Sequence, residues 1–324
     1  MQSIASSKDI ASLLSLLMQT EYSKSLSDFG GVEIKQSLID FALSGNLAKD
    51  MDAVIRLTPH QDKHTIRGIA ERWTFHNVKL ALEAKTEGKG FADIERYLID
   101  YGRYPRIIIK DIMKEDSAER MLQRFINNSP SSEVLTKALA VYNEHKNVSE
   151  SIAAIDSEYY KSMEDMLHQF YNKGEPAGRI IKMEIDMKNM LTLIRAKWRG
   201  ADFDAVAGGL INGGAVAIAD MKKAYTSSEG VEPLVQNINA FELKDAIARY
   251  NQNKRLVTFE IAMRNSIHSA ALKVLSHSVL SLSSVIAYIY LKEIEVSTLR
   301  ILVKGKAYGL GKDELSELMV WKAN

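Results

Sequence analysis

Met183–Lys197 reads MEIDMKNMLTLIRAK, and its apolar residues return at three- and four-residue intervals. That spacing lines one side of an α-helix. Two further stretches align with it without gaps. Glu71–Lys85, ERWTFHNVKLALEAK, begins 112 residues earlier, and Lys292–Lys306, KEIEVSTLRILVKGK, begins 109 residues later. Five columns are apolar in every copy: Trp73/Ile185/Ile294, Phe75/Met187/Val296, Val78/Met190/Leu299, Ala81/Leu193/Leu302 and Leu82/Ile194/Val303. The last four columns fall at i, i+3, i+6 and i+7, one helix face. A small residue follows in each copy (Ala84, Ala196, Gly305), as close helix packing requires. The next column is Lys85, Lys197 or Lys306, where a last-turn cation suits the negative end of the helix dipole.

The match continues downstream. Six residues after each shared lysine stands Phe91, Phe203 or Lys312. Each is expected to open a second apolar helix through Ile94/Val206/Leu315, Leu98/Leu210/Met319 and Ile99/Ile211/Val320. A related run, Ile10–Met18, stands near the start. The pattern predicts an internal repeat of three modules. Repeat 1 covers 1–88, repeat 2 covers 89–200 and repeat 3 covers 201–310, with a C-terminal helix over 311–324 that closes onto repeat 1. The fold class is all-α. Only five prolines and 18 glycines interrupt 324 residues, and strict strand alternation is nearly absent.

Composition narrows the functional classes. Apolar residues make up 46% of the chain and charged residues 26%, ordinary for a soluble globular protein. The 42 basic side chains meet 41 acidic ones, which argues against nucleic acid as a partner. With no cysteine there is no disulfide, thiol nucleophile or cysteine-bound zinc. The opening MQSIASSKDIASLLSLL has no basic region before its apolar run, so no secretory signal is expected. Val274–Leu291 lacks Asp, Glu, Lys and Arg, yet carries His277 and five serines. It reads as a helix buried in the protein rather than a membrane span.

Residues of the types that carry chemistry have plainer readings. His60 and His64 lack the glutamate that a metalloprotease helix places directly after its first histidine, and they read as a solvated helix start after Pro59. Gly208, Gly209, Gly213 and Gly214 resemble a phosphate loop, but Ala215-Val216 stands where Lys-Ser/Thr is needed. Aligned against Gly102, Gly214 reads as a helix cap or a close-packing point. Glu184 with Asp186, and Glu293 with Glu295, are two residues apart, which on a helix sends them to different faces. They read as early-turn acids beside the positive helix end. Asp156, Tyr159 and Tyr160 read as packing residues, and Trp73, Trp198 and Trp321 as core or rim packing. Arg195, Arg199 and Arg300 are either solvated or turned toward acidic partners. No catalytic, cofactor or metal site is expected.

The order of these elements resembles a known family. Ile152, Asp156, Tyr159 and Tyr160 are followed by Glu184-Ile-Asp186, Asn189, Arg195 and Lys197, and the third copy carries Glu293-Ile-Glu295, Leu299-Arg300, Gly305 and Gly309. This is similar to the C subunits of A/V-type rotary ATPases (the d subunits, or AC39 family, in eukaryotes). The likeness covers nearly the whole chain. Two departures stand out: a short first helix, and Arg72-Trp73-Thr74 where the later copies have acidic-Ile-acidic. The resemblance implies a funnel of three pseudo-symmetric repeats around a central cavity. It also implies a non-catalytic rotor component, whose wide end receives the D and F stalk subunits and whose narrow end sits on the membrane proteolipid (c/K) ring. It would lie on the cytoplasmic side as a peripheral component, touching the membrane only through the ring. A helical-repeat interaction scaffold unrelated to ATPases is the other reading the residues leave open.

Overall fold

The structure is a computed structural model and describes residues 6–27, 36–128, 132–170, 176–277 and 281–320. Among these residues there are helices, turns and bends but no strand. The chain divides into two compact units, Met1–Asp116 with Ile289–Asn324, and Ser117–Tyr288.

The first unit opens with α1 (Ile10–Leu17), α2 (Ser23–Ser27), α3 (Gln36–Leu57), α4 (Lys63–Thr86), α5 (Phe91–Ile94) and α6 (Arg106–Ile112). Asp9 starts α1 by accepting the Ser12 N–H at 2.8 Å, which satisfies one of the free donors of a helix N-terminus. Leu13 and Leu17 are then fully buried. In α4 the predicted apolar face is the buried one, with Trp73, Val78, Ala81 and Leu82 all inside.

The second unit contains α7 (Ala118–Asn127), α8 (Glu133–His145), α9 (Val148–Phe170), α10 (Pro176–Trp198), α11 (Asp204–Ala207), α12 (Ile218–Ser227), α13 (Val231–Ile238), α14 (Lys244–Asn253) and α15 (Val257–His277). Ser117 caps α7 by accepting the Arg120 N–H. α8 and α9 pack as a hairpin around Leu135, Ala138 and Ile155, and α10 packs against α15. The chain then enters α16 (Leu282–Ala307), whose later turns belong to the first unit, and ends with α17 (Lys312–Leu318).

Several expectations change here. Val274–Leu291 is not one helix: α15 ends at His277 and α16 begins at Leu282. No described helix is long and apolar enough to cross a membrane. The second helix of each aligned copy is only one or two turns long, because the chain leaves helical conformation before Leu98, Leu210 and Met319. The window helices start well upstream of the aligned residues, so Asp186 and Glu295 lie in mid-helix. The dipole reading of those acids therefore fails.

Candidate functional site

Each aligned helix ends in the same way. Gly88, Gly200 and Gly309 occupy the same column with φ of 70°, 71° and 73°. Left-handed backbone there is open to glycine without a Cβ penalty. One residue further, the N–H of Lys89, Ala201 and Leu310 returns to the carbonyl of Ala84, Ala196 and Gly305 at 2.8, 3.0 and 2.9 Å. These are glycine caps that satisfy carbonyls at a helix C-terminus. The shared lysine sits in the last turn of each helix, as its column implies. In the middle copy Lys197 donates to the carbonyls of Tyr225 and Ser228 at 2.8 and 3.1 Å.

A second device ties the returning chain to the helix. Asn77 donates its amide to the Ile99 carbonyl at 2.6 Å and accepts the Ile99 N–H at 2.9 Å. Asn189 does the same to Ile211, at 2.8 Å for both bonds. In each case the partner lies 22 residues downstream. A carboxamide thus serves a buried peptide group that no helix or sheet satisfies. Beside this clamp, a Cβ on Gly102 would meet Thr74 Oγ1 at 2.2 Å, and a Cβ on Gly214 would meet Asp186 Oδ1 at 2.2 Å. Gly102 and Gly214 are therefore close-approach glycines at one position of two copies. Asp186, almost fully buried, accepts the N–H groups of Ala215 and Val216 at 3.0 and 3.2 Å. Burial pushes its carboxyl pKa up, opposed by those two hydrogen bonds.

The first unit also contains a charged seam along α16. Lys292, 3% exposed, binds Glu21, Asp50 and Glu295, and its ammonium lies 4.8 Å from the Tyr22 ring centroid. Tyr22 donates to Glu295 at 2.5 Å. Burial draws the Lys292 pKa down, but the bond to Glu21 and the charges of its neighbours outweigh it, so the net shift is upward. Burial and then the Glu295 carboxylate push the Tyr22 hydroxyl up. Arg72 donates to Glu293 at 2.9 Å and to the Tyr290 hydroxyl at 2.7 Å. Tyr290 and Glu293 stand at i and i+3 on one face of α16. Arg300 donates to Ser44 at 2.5 Å and faces Asp40 at 3.8 Å. Asp40 is wholly buried, and neither of its oxygens accepts a hydrogen bond. Burial raises its pKa against the opposing pull of Arg300, Lys304 and Arg96.

Two hollows are lined by described residues. One of about 420 Å³ beside Gly102 is lined by Asp52, Arg67, Glu71, Tyr101 and Arg103. Arg103 binds Glu71 there at 3.0 Å, and burial pushes the Tyr101 hydroxyl up to about 12. Another of about 570 Å³ lies along α10 and α15, with Arg179, Met183, Phe241 and Lys273 on its walls. Among the described residues no three His, Cys, Asp or Glu side chains group as metal ligands would, and His60 and His64 are exposed.

Residues 1–318 match the protein family described as ATP synthase (C/AC39) subunit. The chain belongs to that family. Among similar proteins, the A-type ATP synthase C subunit of Thermoplasma acidophilum is 22% identical, over 99% of this chain and 91% of its own length. The C subunit of the Archaeoglobus fulgidus A-type synthase is 25% identical over 93% and 85%. That of Methanocaldococcus jannaschii is 22% identical over 97% and 79%. A helical scaffold unrelated to ATPases is thereby set aside.

Other residues singled out in the sequence now have positions. Tyr159 and Tyr160 are buried and meet edge-on at 5.0 Å, and Asp156 pairs with Lys188 at 3.5 Å. Trp73 is buried against Tyr101. Trp198 is 61% exposed, contrary to the packing expected of it, and Trp321 lies outside the described residues. Arg195 and Arg199 are exposed, with Arg195 3.5 Å from Glu260, whereas Arg300 is committed inside the first unit. Sequence reasoning missed the column of Asn77 and Asn189 and that of Gly88, Gly200 and Gly309, although identical residues in aligned copies were their signal. Lys292 had none, because its partner Glu21 lies 271 residues away.

Proposed function

We propose that this member of the ATP synthase is a non-catalytic part of the rotor. It receives the D and F stalk subunits at one end and seats on the membrane proteolipid ring at the other. Torque passes through it between ATP chemistry and ion translocation. Three modules, over 1–88, 89–200 and 201–310, surround a central hollow as a funnel, and the segment 311–324 closes onto the first. The protein lies on the cytoplasmic side and reaches the membrane through the ring alone.

The observation that carries this reading is the recurrence of one helix corner. The same glycine cap ends all three aligned helices, and two of them add the same asparagine clamp. A coupling part must be stiff, and densely packed helices with satisfied corners deform little under load. The seam of Lys292, Arg72 and Arg300 supports it further, because it ties a late helix to residues near the start of the chain.

Mixing the purified chain with recombinant D and F proteins tests the proposal. The expected result is a ternary complex in gel filtration that also binds proteolipid rings in detergent. Absence of both complexes overturns it.

A further inference from the structure

The third copy departs from the other two at one position. The column of Asn77 and Asn189 holds Thr298, and the column of Ile99 and Ile211 holds Val320. Thr298 is 1% exposed, and its hydroxyl has no hydrogen-bond partner. A threonine hydroxyl is shorter than a carboxamide and cannot present separate donor and acceptor atoms to one peptide group. The clamp that fixes the returning chain in copies 1 and 2 is therefore missing in copy 3.

The segment after α16 is also poor in other polar ties. Among the described residues, the hydrogen bonds of 308–320 all stay within 304–320. The last bond or ring contact from α16 to the N-terminal part of the first unit is Lys304 over the Tyr97 ring at 4.6 Å. Beyond that point the segment is held by apolar burial. Leu315 sits so close to Gly305 that a Cβ there would meet it at 2.1 Å, and Met319 and Val320 are buried.

We infer that residues 312–320 form a detachable strap. The segment opens from Gly305 while the first unit stays folded, because the seam of Lys292, Arg72 and Arg300 lies upstream of the opening point. Local opening of this kind is governed by the few contacts that must break, not by global stability. A missing pair of buried hydrogen bonds corresponds to about tenfold or more in the opening equilibrium. Opening uncovers Gly305, a buried position of α16 against which Leu315 packs. Of the three corners, the third is thus the one that yields.

Hydrogen–deuterium exchange of the full chain, read on peptides covering 91–99, 203–211 and 312–320, tests this. The expected result is exchange about tenfold faster in 312–320 than in either counterpart. Thr298→Asn should slow it, with 91–99 unchanged. Asn77→Ala should speed 91–99, showing that the clamp controls opening. Equal exchange of all three segments overturns the inference. So does faster exchange of 312–320 that Thr298→Asn leaves unaltered while Asn77→Ala loosens 91–99.

Discussion

The two units are built from similar helices but are held together differently. The second is one continuous stretch, and its described core is the apolar packing of α8 on α9 and of α10 on α15. The first joins Met1–Asp116 to Ile289–Asn324, and there buried charge pairs residues 221 and 271 positions apart in the chain. Leucine on leucine tolerates small slips along a helix, whereas Lys292 among Glu21, Asp50 and Glu295 is satisfied in one register only. The contrast suggests that charge is placed where distant segments must find a single alignment.

The most severe way to break this contrast is Lys292→Met. It leaves three carboxylates without their ammonium, and because Glu21, Asp50 and Glu295 keep part of their solvent contact the loss falls at the low end of the range for a broken buried ion pair, about 3 kcal/mol. Denaturant unfolding followed by Trp73 fluorescence should show that loss, while Trp198, in the second unit, reports a smaller change. Equal shifts at both tryptophans would show that the units unfold as one.

Asn77→Ala and Asn189→Ala sharpen the comparison, since each removes the same two bonds from a different unit. About 1–3 kcal/mol is expected in each case, because the buried N–H of Ile99 or Ile211 loses its acceptor, although the Ile99 carbonyl keeps the Tyr101 N–H. Matching losses would mean that the clamp works alike in both settings; a loss at one site alone would break the equivalence of the copies.

Asp40→Asn probes the seam through pH. The folded-state pKa of Asp40 is raised, so its stabilising contribution is complete below the unfolded value, about 3.9. That contribution is lost as pH rises through the folded value. Asparagine keeps the neutral shape, so the melting temperature of the variant relative to the parent should climb as pH increases from about 4. A difference that stays flat with pH rules out this titration. The smallest effect belongs to Trp198→Ala. The side chain is 61% exposed, so stability should move by no more than about 0.5 kcal/mol in a thermal melt.

Much of the local structure was legible in the chain itself. The three aligned windows became the later turns of α4, α10 and α16, and the shared apolar columns became the buried face, because a 3.6-residue period admits one solution against a core. The boundaries were less legible. The break between His277 and Leu282 falls in a run whose serines suit a helix or its end equally well. The role of Asp186 was hidden because the sequence does not show that a loop with Gly213 and Gly214 lays its N–H groups against that carboxylate.

Periodicity and recurrence in the sequence by themselves determined an all-helical protein and three copies of one helix, since both follow from spacing along a single strand of chain. Only the tertiary structure decided that Lys292 would gather Glu21, Asp50 and Glu295, that Arg300 would be spent on Asp40 and Ser44, and that the Thr298 hydroxyl would be buried without a bond. Those pairings join residues far apart in the chain, and no local pattern encodes which distant side chain will complete a buried charge.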